Sequence, residues 1–364
     1  MSSTFVTLFL VDLALLACFM FMPVMRGEDA FFGVRVGSET YRGEGRRVLR
    51  RYWFWLALTF LQVEAIGFVV SSFKGRAEFS SVAPRLLLVP LAALLYVIFY
   101  RQVKPLERIE VSQRFASSLR ARRLKDYTSL ALEVLVVLMT IVPVVLLVYY
   151  YPRLPERIPV HWNWKGEPDA WARKSYYSVF SLAATLVYIQ GLILLIKHGL
   201  LGVKMTLPAE RTEEYLRLKE ESLGFTLRFM DWMRLLLCVM MGGLAANVAL
   251  ASVEHLRPVS QAVAVAAGAA GWVMIASALY ITYHFYMTDR RLKAEAGRVY
   301  VQRQRDAEHW YLGGLVYFNR EDPALWVEKL VGWGYTFNLG NKWGYLYLGV
   351  IIGVPLLLFL PLEK

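Results

Sequence analysis

Long apolar runs and charged stretches alternate along this chain, and the alternation predicts helices that cross a membrane. Eight runs lie near Phe5–Met25, Tyr52–Phe73, Leu86–Tyr100, Leu130–Tyr151, Tyr177–Leu201, Met233–Val253, Val259–Tyr286 and Trp343–Leu362. Most reach about 20 residues, enough to traverse roughly 30 Å of hydrocarbon as a helix. Inside lipid, segments of this kind satisfy every backbone group only when helical. The expected fold class is therefore an all-α integral membrane protein with about eight transmembrane helices. The composition agrees, since 57% of the 364 residues are hydrophobic, well above the soluble norm.

The formal net charge of +12 would suggest nucleic acid in a soluble protein. Here the distribution of the charge points elsewhere, because cytoplasmic loops retain Lys and Arg. Basic residues crowd the segments after runs one, three and seven: Arg26, Arg35 and Arg42 to Arg51, then Arg101 to Lys125, and Arg290 to Arg305. The connection between runs six and seven offers only Arg257. The rich loops fall on one side if the N-terminus and the C-terminus both lie outside. The first run lacks a cleavage signature and reads as a retained helix. The two cysteines, Cys18 and Cys238, fall inside apolar runs and support no disulfide framework.

The resulting organisation has five parts. Residues 1–151 carry spans one to four with basic inner loops, and 152–176 form an outward Trp- and Pro-rich cap. Residues 177–286 carry spans five to seven, 287–342 a basic helix and a small α+β cytoplasmic module, and 343–364 the last span. Val111, Phe115 and Leu119 are spaced as one face of an inner-loop helix, and Arg290 to Arg305 reads as another or as an extension of a span. Pro208 to Arg228 mixes acids and bases and reads as a cytoplasmic connector. Spans six and seven form a close pair, with Gly242, Gly243, Ala245 and Ala246 facing Ala266, Ala267, Gly268, Ala270 and Gly271. In the inner module, Leu315 to Phe318 and Gly334 to Leu339 have strand composition, and Asn319 or Asp322 is placed to cap a helical turn starting at Pro323.

The cap, LPERIPVHWNWKGEPDAWARKS from Leu154 to Ser175, is the most specific stretch. Pro155 and Pro159 fix the backbone, and Gly166 with Pro168 reads as a turn. Trp162, Trp164 and Trp171 suit a membrane–water boundary. His161, Trp162, Asn163, Glu167, Asp169, Trp171 and Lys174 are the candidate ligand-binding residues. A segment this short needs the neighbouring helices to hold it.

Within the spans, ionisable side chains are costly and therefore informative. Asp12 and Glu64 lie at comparable depth, and Asn247 also falls in an outer half. Two readings stay open: a cation, proton or metal site including His161, or hydrogen-bonded carboxylates that pin helices together. The identity of any metal is unknown. Glu133 reads as a snorkelling residue or a partner for an inner-loop arginine, while Lys197, His198 and His284 read as interfacial. Neither a metalloprotease helix, a nucleophile elbow nor a phosphate-binding loop motif occurs, so no enzymatic activity and no cofactor is expected.

The cap pattern Leu154-Pro155, Ile158-Pro159-Val160-His161-Trp162-Asn163, Gly166-Glu167-Pro168-Asp169, Trp171 and Lys174 resembles the signature of a bacterial membrane domain of unknown function. That domain is shared with SdpI-type toxin-immunity proteins. Trp310, Gly313, Tyr317-Phe318-Asn319, Asp322-Pro323, Gly334-Tyr335-Thr336 and Asn338 are similar to a second uncharacterised domain that often follows the first. Phe32-Gly33-Val34-Arg35-Val36 is similar to the family's early inner loop. The resemblance implies a multi-pass protein of the bacterial plasma membrane and transfers no catalytic residue. It also departs from the immunity proteins, because the inner module stands where their C-terminal membrane region would be.

The leading expectation is an immunity- or receptor-type protein that binds a secreted peptide or amphiphilic ligand at the cap and signals to a cytoplasmic protein through the inner module. The rival class is a transporter or ion-coupled exporter using Asp12 and Glu64. A metal-dependent membrane enzyme is the third. The bilayer is the one partner common to all, and nucleic acid is not expected.

Overall fold

The computed structural model describes residues 3–25, 27–72, 85–107, 115–118, 122–162, 167–208, 212–296, 309–331 and 333–359. The chain is mostly helical. Its helices are α1 (Ser3–Phe21), α2 (Arg46–Ser72), α3 (Leu88–Val103), α4 (Leu130–Tyr150), α5 (Tyr176–Leu200), α6 (Thr212–Leu237), α7 (Gly243–Leu250), α8 (Arg257–Ala296) and α9 (Lys342–Phe359). A π-helical turn, Tyr41–Gly45, leads into α2, and a second, Cys238–Gly242, joins α6 to α7. Among the described residues five segments are long and apolar enough to cross a membrane: Ser38–Val69, Leu130–Arg153, Tyr176–Leu200, Glu213–Leu250 and Glu254–Leu292.

Among the described residues eight short strands form four two-stranded sheets. They are β1 (Phe115–Ser118), β2 (Arg157–Trp162), β3 (Pro168–Arg173), β4 (Met205–Pro208), β5 (Trp310–Tyr311), β6 (Val316–Tyr317), β7 (Trp326–Glu328) and β8 (Tyr335–Phe337). The pairs are β1 with β4, β2 with β3, β5 with β6 and β7 with β8. Contacts divide the chain into two compact units. The first comprises Met1–Phe115, Arg298–Pro323 and Val327–Asn341, and the second Ala116–Gly297, Ala324–Trp326 and Lys342–Lys364.

In the first unit an aromatic core joins the Phe31–Val36 segment to α2 and α3. Phe32 packs its ring edge on Tyr52 at 5.0 Å and lies 5.3 Å from Tyr96 and 6.2 Å from Phe99. Phe31, Phe32, Val34 and Val36 are all buried. The stretch expected as an inner loop thus packs into the core, held because Phe31, Phe32, Val34 and Val36 all bury their side chains against the helices. Gly33 makes this possible: its φ is +77°, and a Cβ there would stand 2.2 Å from the Gly313 carbonyl oxygen. The Tyr96 hydroxyl donates to that same oxygen at 3.1 Å.

The inner module turns on one buried amide. Asn338 Oδ1 accepts from the Asn319 and Gly340 amides, each at 2.9 Å, and Nδ2 donates to the Asn319 and Asp322 carbonyls at 2.7 and 3.1 Å. The Tyr317 hydroxyl donates to Asp322 Oδ2 at 2.9 Å. The strands expected here exist, shorter than the composition suggested. The helical turn expected at Pro323 does not form; Asn319 Oδ1 accepts from the Glu321 amide at 2.9 Å and the Asp322 carboxylate from Tyr317, while the backbone groups of both residues bond Asn338.

In the second unit, α4 to α8 pack as a helical bundle. Ser129 caps α4 by accepting from the Leu132 amide at 3.2 Å, and Ser175 with Ser178 forms a reciprocal capping box on α5. Several expectations change here. Pro208 to Arg228, expected as a connector, is largely helical: helix α6 starts at Thr212 and runs into the apolar segment. Its acids and bases lie on a helix whose buried face includes Tyr215, Leu223 and Leu227. The described part of the helix expected around Val111, Phe115 and Leu119 is strand β1, because β4 offers it a backbone partner; Val111 and Leu119 lie outside the described residues. Helix α8 extends past its apolar run to Ala296, and 297–308 lie outside the described residues.

The close approach of α7 and α8 is real but narrower than the small-residue pattern implied. A Cβ on Gly243 would meet Val263 Cγ1 at 3.4 Å and Ala267 Cβ at 3.8 Å. Gly242 faces α4 and α5 instead, with Met139 O and Pro143 Cγ each 3.4 Å and Leu186 Cδ2 3.3 Å from the position of a Cβ. Gly268 has nothing within 4 Å. A π turn rotates the residues on either side of it relative to a regular helix, so Gly242 and Gly243 serve different neighbours.

Candidate functional site

Three polar constructions interrupt the apolar helices: the cap, and one buried charge cluster in each unit.

The cap is an antiparallel hairpin in which Arg157 faces Arg173, Ile158 faces Ala172 and Pro159 faces Trp171, with an irregularity around His161, which faces Ala170. Burial along β2 runs in pairs instead of alternating, with Ile158 and Pro159 buried and Val160 and His161 exposed, because the register shifts between Pro159 and His161; Trp171 on β3 is 57% exposed. Leu154 and Ile158 join a core with Leu147, Val179, Ala245 and Val248, so the hairpin is seated on α4, α5 and α7. Polar ties complete the seating. With its amide oriented to satisfy its neighbours, Asn247 donates to Ser260 Oγ at 2.7 Å and accepts from Trp162 Nε1 at 3.1 Å. Lys174 donates to the Leu154 carbonyl at 3.0 Å and sits 4.9 Å above the Tyr151 ring, which stacks on Tyr176 at 4.6 Å.

The expected binding residues therefore separate. His161, Glu167 and Trp171 are exposed. Trp162 and Lys174 turn toward the bundle and act as fasteners. Asn163 lies outside the described residues, as do Trp164 and Gly166; of Asp169 only the backbone, in β3, is described. Asn247 is fully buried as the bundle-side partner of the cap, in a different unit from Asp12 and Glu64.

Asp12 of α1 and Glu64 of α2 do meet, through a residue the sequence reading passed over. Arg85 stands directly before the apolar run of α3 and is buried. Its Nε is 2.9 Å from Asp12 Oδ2, a close ion pair without hydrogen-bond alignment, and its Nη2 donates to Glu64 Oε2 at 2.7 Å. Gly67, one helical turn from Glu64, leaves room for the guanidinium: a Cβ there would lie 3.1 Å from Nη1. The Arg85 guanidinium thus pairs with both carboxylates, and among the described residues no group of three His, Cys, Asp or Glu side chains is placed to hold a metal ion.

The second cluster is larger. Glu133 in the first turn of α4, Lys197 in the last turn of α5, and Asp231 and Arg234 on α6 converge with Thr128 and Gln190. Lys197 is fully buried, and its Nζ pairs with Asp231 and reaches Glu133 Oε1 and Thr128 Oγ1 at 3.3 Å. Arg234 Nη1 donates to both Glu133 oxygens at 2.8 Å, and its Nε donates to Gln190 Oε1 at 3.0 Å. Gln190 returns a bond to the Arg234 carbonyl at 3.0 Å and reaches Cys238 Sγ at 3.2 Å. Thr128 donates to Asp231. Nearby, Arg122 clasps Glu220 and donates to the Leu201 and Val203 carbonyls at 3.1 and 3.2 Å, tying α6 to the end of α5.

Glu133 is thus not a snorkelling residue, and its arginine partner comes from α6 rather than from an inner loop. Lys197, expected near the end of its span, lies in the last turn of α5 and is fully buried among its ion partners. The Asp231-x-x-Arg234 spacing puts both charges on one face of a helix, and that was the signal available in the sequence. It lay hidden because the run counted as a span begins at Met233, just after Asp231. Two acids facing two bases leave the cluster neutral, as expected for ionised groups that share a low-dielectric interior.

A family model described as a domain of unknown function, DUF1648, matches residues 138–187, and one described as a family of unknown function, DUF5808, matches residues 320–345. No curated protein and no solved structure matches the chain. The first match spans the far half of α4, the cap and the near half of α5, and leaves Glu133 and Lys197 outside it. The second contains Asp322 and Asn338, which organise the inner module. The chain is a multi-pass membrane protein carrying two domains of unknown function.

Proposed function

We propose that the chain is a bacterial plasma-membrane protein of immunity or receptor type, related to the SdpI-type toxin-immunity proteins. In this reading eight helices span the bilayer, both termini lie outside, and the cap faces outward. Its ligand is a secreted peptide or another amphiphile that arrives at the membrane surface, and the inner module relays occupancy to a cytoplasmic protein.

The observation that carries the reading is the half-and-half construction of the hairpin. One face is locked to α4, α5 and α7 by Ile158, Trp162 and Lys174, while Val160, His161 and Trp171 project away from it. Large exposed aromatics on a rigid support give contact area at low entropic cost. A two-stranded sheet also leaves strand edges to which an extended peptide can add. The transporter reading has less support, since Arg85 fills the space between Asp12 and Glu64 where a coupling cation would bind.

The test is protection of a strain sensitive to secreted toxic peptides by the full chain, compared with Trp171→Ala and His161→Ala. We expect survival with the parent chain and at least a tenfold loss of protection with Trp171→Ala at equal membrane abundance. Equal protection by both variants would count against the cap as the binding site.

A further inference from the structure

The first unit holds a basic cleft that the cap reading does not use. It has a volume of about 640 Å³ and lies where the start of α2 meets the end of α3, lined by Glu44, Arg47, Arg50, Arg51, Gln102 and Leu106. Three guanidiniums face a single carboxylate there, so the lining is net positive. The side chains of Arg47, Arg50 and Arg51 are exposed, and Arg51 is steered over the cleft by a 3.1 Å hydrogen bond from its Nη2 to Gln102 Oε1. Guanidiniums present paired donors that match phosphate oxygens.

What distinguishes this cleft from a merely basic surface is its continuation. Arg47, Arg51, Phe54 and Leu61 recur at intervals of four, three and seven residues and so share one face of α2. Phe54 is 62% exposed and Leu61 60% exposed. On α3 the face that ends at Gln102 continues through Ile98 and Leu94, both exposed. Charged donors at one end of a helix pair thus lead into bare apolar side chains along its length. An amphiphile with an anionic head and a hydrocarbon tail fits that order; an inorganic anion would use only the first half of it.

We infer that this cleft is a binding site for the phosphate-bearing headgroup of an anionic phospholipid, with the acyl chain lying along Phe54 and Leu61. Basic clusters between membrane helices bind such headgroups by the same charge complementarity. The inference stands apart from ligand binding at the cap, and neither depends on the other.

Native mass spectrometry of the detergent-solubilised full chain, titrated with phosphatidylglycerol or phosphatidylcholine, provides the test. We expect preferential binding of phosphatidylglycerol. The triple variant Arg47→Gln, Arg50→Gln, Arg51→Gln should weaken it on the order of a hundredfold, since each basic group near an anionic headgroup contributes about a fivefold factor. A charge-matched control, Arg228→Gln, Arg290→Gln, Arg291→Gln, should change it less than about threefold on the same scale. Leu106→Trp narrows the cleft without removing charge and should also lower occupancy, which covers the case in which the triple variant does not fold. Equal losses in the two triple variants would overturn the proposal, as would equal affinity for phosphatidylcholine. Displacement of the lipid by millimolar inorganic phosphate, with the same arginine dependence, would overturn it in favour of a free-anion site.

Discussion

The two buried charge clusters solve the same problem with different margins. In the first unit a single guanidinium, Arg85, serves two carboxylates, Asp12 and Glu64. In the second unit Lys197 and Arg234 face Asp231 and Glu133, and Gln190 and Thr128 take up further hydrogen bonds. Every charge in the second cluster keeps a partner when one member is lost. In the first, Arg85 is the one cation paired with both carboxylates among the described residues. The comparison teaches that a buried ionic group inside a helical membrane unit is not by itself a transport site; its meaning lies in what already compensates it.

The sharpest way to break this comparison is to remove one cation from each cluster. Arg85→Met should destabilise the chain by about 3–5 kcal/mol, because two carboxylates stay buried without their cation. Adding Asp12→Asn and Glu64→Gln to Arg85→Met should restore most of the loss, since neutral amides carry a far smaller burial cost. Arg234→Met should cost less, about 1–3 kcal/mol, because Lys197 still pairs with both Glu133 and Asp231, and Thr128 still donates to Asp231. Thermal unfolding of the three variants in detergent gives the order. If Arg234→Met proved the more damaging, the claimed difference in margin would fail.

A smaller effect is expected at the cap. Asn247→Leu removes the acceptor of Trp162 Nε1 and the donor to Ser260, and should lower stability by about 1–2 kcal/mol. Its clearer signature is faster proteolysis within 154–175 while the helices stay protected. Unchanged cleavage would mean that apolar seating by Ile158 and Leu154 is sufficient and that the polar tie adds nothing measurable.

Much of this architecture is legible in the sequence, for a physical reason: apolar length reports directly on helices that lipid requires. Seven of the eight apolar runs fall mainly on a single helix and the sixth covers the end of α6, a π-helical turn and α7; five segments among the described residues are long and apolar enough to cross a membrane, and the isolation of the cap between two runs is visible at once. Pairing is what the sequence conceals. Asp12 and Glu64 announce themselves because they sit inside apolar runs, whereas Arg85 hides at the edge of one and looks like the end of a loop. Lys197 hides likewise at the foot of α5, and Asp231 just before an apolar run. The cap shows the same limit. Its residue types suggest seven binding side chains, but only the folded hairpin reveals that Trp162 and Lys174 point back to the bundle while His161 and Trp171 point away. The role of Asn338 is equally a matter of register, because its four hydrogen bonds reach backbone groups up to 19 residues away.

The proposed function stands on the outward placement of the hairpin, and the most direct test is its accessibility. Glu167→Cys, in a background with Cys18→Ala and Cys238→Ala, puts a lone thiol on the exposed start of the second cap strand. A membrane-impermeant maleimide should label it in intact cells. Labelling only after the cells are permeabilised would place the hairpin in the cytosol and contradict the receptor account.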